Sequence, residues 1–389
     1  MKIIVAPGAF KNSLRATDAA DAITHGLARS GLDAEIVQLP IADGGNGTLD
    51  VMLAASSDGE RHTVMVRDPI GRPVRANYGL MDSGKTAVIE MALASGLELI
   101  SGAELNPMRT STYGTGELLK HALDAGATRF IVGLGGSATV DGGSGALMAL
   151  GARYFDANDR PIVQRGGSIL NKVARIDMSN VDSRWPDCEI LVAVDVDNPP
   201  YGERGAAAVF GPQKGATEDD IPKLEAGLKQ FFVALTEATT VDVTTLEGGG
   251  AAGALSAGLY AGLGAELVSG SDLILKHVGF DAHMVDADLV ITGEGRMDEQ
   301  TVGGKGPFGV ALRARQRGIP TVALVGGLAV DDGVLHDAGI DVVLPIVDKP
   351  MPLEIALLDA QPLLERAALR LGYTIQIGRK LRIPSWHSN

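Results

Sequence analysis

Residues 130–143 read FIVGLGGSATVDGG. The opening run, FIVGL at 130–134, is apolar on both alternating positions, as suits a strand covered on both faces in a parallel or mixed sheet. From Gly133 to Gly143 the chain is too rich in glycine to be a helix, since each interior glycine costs about 1 kcal/mol relative to alanine. A buried strand therefore runs into a long loop, and the next helix starts near Gly143 with free N–H groups. Ligands gather at such strand ends in α/β sheets, because loops and helix N-termini present backbone N–H groups to anions.

The same grammar recurs along the chain. IIVAP at 3–7, EIVQLP at 35–40, ILVAV at 190–194, LVIT at 289–292 and TVALV at 321–325 are further strands, each running into a loop of Gly, Asp or Ser. Helical patterns lie between several of them. One begins at Thr17, aligns Ile23 with Leu27 and stops at Gly31. Another follows Thr217 and Asp220, a variant capping box, and carries Ile221, Leu224, Leu228, Phe232 and Leu235. The class is α/β. Simple strand-helix-strand units occupy both ends, whereas 63–91 alternates in short strands with turns at 68–71 and 82–84, the pattern of antiparallel hairpins. That contrast predicts one discontinuous domain, 1–65 plus 282–389, with a second α/β domain of hairpins and glycine-rich loops, 66–281, inserted into it and a cleft between them. The basic tail from Gly378 is aperiodic.

Composition narrows the class of partner. A chain of 389 residues with 45% hydrophobic and 21% charged residues has ample core for two domains. Its net charge of −14 argues against nucleic acid. An anionic nucleotide is still admissible, provided that Mg²⁺, local Lys or Arg and backbone N–H groups reverse the field where it binds. Cys188 is the single cysteine, so no internal disulfide forms, and MKIIVAPGAFK breaks off before a signal-peptide core; both point to the cytoplasm. The uncharged run from Gly248 to Ala265 is mostly Gly and Ala, too weakly apolar for a membrane, and reads as a loop leading into a buried helix. Nothing in these features sets the oligomeric state, and a homo-oligomer is compatible with them.

Two pattern matches compete with the strand-end loops. GLMDSGKT at 79–86 fits the phosphate-loop consensus G-x-x-x-x-G-K-T, but Asp82, Ser83 and Gly84 look like a hairpin turn rather than the start of a helix. Gly133, Gly135 and Ala138 fit the dinucleotide fingerprint, with Asp156 about twenty residues on, and leave an NAD-dependent oxidoreductase as the alternative. The glycines at 142 and 143 would interrupt the helix that this fingerprint needs.

The remaining candidates are polar residues at strand ends. In the glycine loop, Gly135 and Gly136 allow close backbone approach and Ser137 and Thr139 offer hydroxyls, together a phosphate cradle. After ILVAV, Asp195 can accept a hydroxyl proton or hold Mg²⁺, and equally could cap a helix; Asn198 adds a metal ligand and Lys214 a phosphate contact. After LVIT, residues Glu294, Arg296, Asp298, Gln300, Thr301 and Lys305 supply the charges that bind Mg²⁺ and neutralise a migrating phosphoryl group, or else a solvated salt-bridge network. Near the N-terminus Lys11 and Ser13 follow the first strand and Asp43 the second, a cation and an anion suited to a substrate carboxylate and hydroxyl.

Taken in order, FKNSL, PIADGG, GKTAVIEMALASGLELI, TGELLKHALDAGA, GLGGSAT, DVDNP, VFGPQKGA, GAAGAL and VITGEGRMDEQT resemble the bacterial glycerate kinases, from residue 2 to about residue 372. The resemblance implies a split Rossmann-like domain with an inserted α/β domain, and transfer of the ATP γ-phosphoryl to D-glycerate, giving 2-phosphoglycerate and ADP with Mg²⁺. It implies catalytic roles for Asp195, Asp43, Lys11 and Arg296. It places the nucleotide on Gly135, Gly136, Ser137, Thr139, Lys214 and Lys305, and the metal on Asp195, Asn198, Glu294 and Asp298. The family usually carries Asp-Ser where this chain has Gly8-Ala9, Glu where it has Asn46, and Asn where it has Val140. Those departures leave open a kinase acting on a different small hydroxy acid, or a sensor that binds one without turnover.

Overall fold

The computed structural model describes residues 1–298 and 306–381. Gln300, Thr301 and Lys305, and the tail beyond residue 381, lie outside the described residues. The strands in chain order are β1 (Lys2–Pro7), β2 (Glu35–Gln38), β3 (Glu60–Arg67), β4 (Pro73–Met81), β5 (Thr86–Glu90), β6 (Arg129–Gly133), β7 (Arg153–Phe155), β8 (Pro161–Ile162), β9 (Arg175–Asp177), β10 (Glu189–Ala193), β11 (Glu266–Val268), β12 (Leu289–Met297), β13 (Thr321–Leu328) and β14 (Val342–Pro345). They form a mixed α/β chain of two compact units, Met1–Asp43 with Ile274–Asn389, and Gly44–Leu273. Residues 44–65 thus belong with the second unit rather than the first. The reason is pairing: β3 is zipped to β4 along its whole length, from Glu60↔Leu80 to Arg67↔Pro73, and helix Thr48–Ala55 packs on β4 and β5.

In the first unit five parallel strands stand in the order β14-β13-β12-β1-β2. Within this unit they are the second, first, third, fourth and fifth along the chain when read from β2, a doubly wound order whose direction reverses between β1 and β12. Alternation along β13 shows why both faces are apolar. Val322 and Leu324 join Ile3, Val5, Ile23, Leu27 and Leu363 on one face, while Ala323 and Val325 meet Ala311 and Leu335 on the other. Each fully buried aliphatic side chain contributes roughly 1.5–3 kcal/mol. Helix Ala360–Lys380 supplies Leu363, Leu364, Ala367, Ala368 and Leu371 to the first face. Its register carries on through Gly378 to Lys380, so the start of the basic tail is helical, contrary to its aperiodic appearance.

In the second unit the order is β11-β10-β6-β5-β4-β3. The strands β11, β10, β6 and β5 run parallel, and β4 is antiparallel to both its neighbours. A small sheet, β8-β7-β9, accompanies it. Phe130, Trp185, Phe231, Phe232 and Leu255 lie in its core. Asp82, Ser83 and Gly84 take φ of 54°, 56° and 82° in the turn joining β4 to β5. The phosphate-loop lookalike is therefore a hairpin. The run from Gly248 leads into helix Ala251–Leu263, and among the described residues no helix is long and apolar enough to cross a membrane.

Candidate active-site loops

Strand register places the loops of the second unit. Glu90, Gly133 and Ala193 are partners across β5, β6 and β10, and Ala193 pairs with Val268 of β11. Four chain segments therefore leave the sheet from one edge, with about 4.8 Å between neighbouring strands. Asp195 and Gly135 each stand two residues beyond that line.

The loop after β6 is fixed by backbone contact and by one lysine. Gly135 lies directly against Gly45, where any Cβ would overlap the Gly45 Cα, and its N–H donates to the Gly44 carbonyl at 3.3 Å. The Ala138 N–H donates to Ser95 and the Leu97 N–H to Gly136. Beneath the loop the Lys214 side chain is buried, its amine donating to Ser137 Oγ at 2.7 Å and to the Thr139 carbonyl at 2.8 Å. Burial pushes the Lys214 pKa down to about 7, against the pull of the Asp141 charge. Two acceptors match the two N–H bonds of a neutral amine. Lys214 so placed holds the loop from inside; Ser137 is buried as well, and the Thr139 hydroxyl is buried with no hydrogen-bond partner among the described residues.

The helix that follows, Ser144–Ala149, begins where expected, but its first N–H groups are not free. Asp141, fully buried, accepts the N–H groups of Thr112 (2.8 Å), Gly143 (3.2 Å) and Gly145 (3.2 Å), together with the Thr112 hydroxyl. Its carboxyl is raised by desolvation, and the hydrogen bonds oppose that shift. Gly142 and Gly143 adopt φ of 62° and 76°, which ends the continuous helix required by the dinucleotide fingerprint. Against this loop lies GAAGAL. Ala252, Gly253 and Ala254 are three successive left-handed residues, and the Gly253 carbonyl accepts the Gly142 N–H at 2.9 Å. A left-handed alanine is strained, and such strain gathers where surrounding structure demands it.

Asp195 follows β10. Its Oδ1 accepts the N–H of Gly270 at 2.9 Å and the hydroxyl of Ser269 at 3.4 Å, so it caps helix Gly270–His277 after the neighbouring strand β11. Its position at the strand end and its capping role coexist. Asn198 secures the same loop, its side-chain amide donating to the Arg204 carbonyl at 2.8 Å and its own carbonyl accepting the Gly250 N–H at 2.8 Å. Asn46 bonds Glu98 at 3.1 Å in this unit.

In the first unit the candidates flank the reversal between β1 and β12. Lys11 is exposed in the loop after β1, where Gly8 N–H donates to Gly293 at 2.8 Å. Residues 39–43 follow β2, the Ile41 N–H bonding Pro7, and end at the half-buried Asp43. Glu294 and Arg296 do not sit in a loop after LVIT. The strand continues to Met297 because β13 pairs with it through Arg296↔Gly327 and Met297↔Leu328. With a period of two, Glu294 and Arg296 share a face, and Arg296 lies 3.9 Å from Asp298. Lys305 is outside the described residues.

Two buried carboxylates carry these loops and were missed in the sequence. Asp141 is one, and Glu90 at the end of β5 is the other. Glu90 accepts the Leu49 N–H at 2.5 Å at the start of helix Thr48–Ala55, and burial raises its pKa to about 7. Glu90 was visible only as an acid directly after the apolar run TAVI, and Asp141 only as an acid within the glycine loop. Among the described residues no three His, Cys, Asp or Glu side chains converge as a metal cage.

A model of the glycerate kinase family matches residues 3–376. Glycerate 2-kinase of Escherichia coli (strain K12) is 45% identical over 380 residues, 98% of this chain and 99% of that protein. Glycerate kinase of Bacillus subtilis (strain 168) is 45% identical over 381 residues, again 98% and 99%. The crystal structure of a Salmonella typhimurium LT2 protein, provisionally named glycerate kinase 2, superimposes with a TM-score of 0.85 at 44% identity, covering 98% of this chain and 100% of that one.

Proposed function

Given that the chain belongs to the glycerate kinase family, we propose that it transfers the γ-phosphoryl group of Mg·ATP to the 2-hydroxyl of D-glycerate, releasing ADP and 2-phosphoglycerate. The observation that carries this is the register of the second unit, which sends Asp195 and the Gly133–Gly143 loop out of one sheet edge on adjacent strands. In the transfer, the acceptor O–H gives its proton to a carboxylate, its oxygen bonds to the γ-phosphorus, and the bond to the β-phosphate oxygen breaks in line. Asp195 takes the proton, with Asp43 as the second candidate. Gly135, Gly136 and the Ser137–Thr139 turn offer the backbone cradle, and Lys214 acts through that turn.

Lys11 and Arg296 stand for the cations that hold the substrate carboxylate or the migrating phosphoryl. The doubly wound order of the first unit supports this, since ligands bind such sheets at the C-terminal ends of strands where the order reverses. It also supports a split Rossmann-like domain. Asp195, Asn198, Glu294 and Asp298 are the residues that would hold Mg²⁺, which when bound would offset the charge of the nucleotide phosphates. The bacterial glycerate kinases that the chain resembles support a cytoplasmic enzyme.

The test is ADP release with D-glycerate and Mg·ATP, and NMR of the product to locate the phosphate. Asp195→Asn keeps an oxygen for the Gly270 N–H and loses the base, so kcat should fall by about 10²–10⁴. A rate near that of the unaltered protein, with the fold intact, removes Asp195 from the reaction.

A further inference from the structure

Arg109 and Arg165 are 56 residues apart in sequence and line one cavity of about 350 Å³, together with Asp68, Ser111, Tyr113 and Val163. None of these residues belongs to the set assigned above. The two arginines meet because the turn at Gly166 lies on the backbone of Arg109. With φ of 93°, Gly166 comes so close that a Cβ would stand 2.7 Å from the Arg109 carbonyl carbon. Gly167 and Ser168 then donate their N–H groups to the Pro107 and Met108 carbonyls at 3.1 and 3.0 Å, fixing that approach.

The charges in the cavity do not cancel. Asp68 is buried and already engaged, accepting the Arg72 guanidinium at 2.6 Å and the N–H groups of Ile70 and Arg72 at 3.0 and 2.8 Å. No carboxylate pairs with Arg109 or Arg165 among the described residues, in a chain whose net charge is −14. The Arg165 guanidinium carbon lies over the Tyr113 ring, 3.5 Å from its centroid, and its Nε is buried without a hydrogen-bond partner among the described residues. A guanidinium held over a ring on the cavity wall, with no carboxylate paired to it among the described residues, is set up to meet a ligand acceptor. Ser111 adds a hydroxyl, while Tyr113 and the exposed Val163 offer apolar wall.

We propose that this cavity binds the dianion of a small phosphate monoester, its phosphate shared by Arg109 and Arg165 and its organic body against Tyr113 and Val163. Two unopposed guanidinium groups balance the doubly charged phosphate, and their planar forks suit its oxygens. The volume is at the small-ligand end of ordinary binding sites.

Calorimetric titration with phenyl phosphate, and with phenylmalonate as a dicarboxylate of similar size, tests this on the full chain. Phenyl phosphate should bind more tightly than phenylmalonate, and its affinity should fall at least tenfold in Arg109→Gln and in Arg165→Lys. Arg109 is exposed, so Arg109→Gln should keep the unaltered melting temperature and turnover even if the stacked Arg165 proves structurally necessary. Phenyl phosphate that fails to bind, that binds Arg109→Gln as it binds the unaltered chain, or that binds no better than phenylmalonate overturns the assignment.

Discussion

The Lys214 amine donates to the Ser137 hydroxyl across 2.7 Å with the whole lysine side chain out of water. A charged group held there is opposed by desolvation, and the consequence is a pH signature. The folded pKa lies near 7 against an ordinary 10.5. Between those values the unfolded chain binds a proton that the folded chain lacks, so the free energy of unfolding rises with pH, by at most about 1.4 kcal/mol per unit. Lys214→Met has no such group. Urea denaturation from about pH 7 to about pH 9.5 should show the unaltered protein gaining stability relative to Lys214→Met; a constant difference would place a charged ammonium in the core.

Glu90 has the opposite sign. Its pKa is raised from 4.5 to about 7, so in that window the folded chain keeps a proton that the unfolded chain has lost, and stability falls as pH rises. Glu90→Gln retains an oxygen for the Leu49 N–H and never ionises. At about pH 8 the variant should be the more stable by about 3 kcal/mol, and at about pH 4 the two should be equal. Chemical denaturation at both values checks this.

Gly253 and Gly264 have nearly the same φ, 67° and 71°, but different surroundings. A Cβ at Gly264 meets open space, so Gly264→Ala should cost about 1 kcal/mol from backbone strain alone. At Gly253 the Cβ would overlap the Thr139 carbonyl oxygen, the acceptor that Lys214 uses. Gly253→Ala should therefore cost about 3 kcal/mol or more and abolish ADP release, because the strand-end loop must move. Thermal melts of the two variants side by side separate strain from collision.

Much of this architecture was legible in local pattern. Apolar runs ending at glycine or aspartate marked the strands IIVAP, FIVGL and ILVAV correctly, because burial on both faces leaves a signature in every residue. The hairpin at Asp82 to Gly84 was legible for the same reason, turn residues being chosen locally. What escaped was set by partners distant in sequence. Glu294 and Arg296 look like loop residues until β13 pairs with them. The N–H groups after Gly143 look free until Asp141 turns back onto them, and Lys214 reads as a direct phosphate contact until Ser137 and Thr139 close over it. No periodicity reveals a left-handed run at Ala252 to Ala254, since that conformation exists only because the Val140 and Gly142 backbone is already there.

The pairing of Ile3 with Leu289 has a cost in time. On the ribosome β1 is made before β12 and must wait for 282 more residues, from Pro7 to Leu289, before its central partner exists. At roughly 5–20 residues per second that delay is about 15 to 60 s. Gly44–Leu273 is synthesised within that interval and has its own core to collapse on, whereas an early strand as apolar as KIIVAP stays half paired. Nascent chains stalled between residues 43 and 289 are the forms of this protein that a chaperone would be called on to shield.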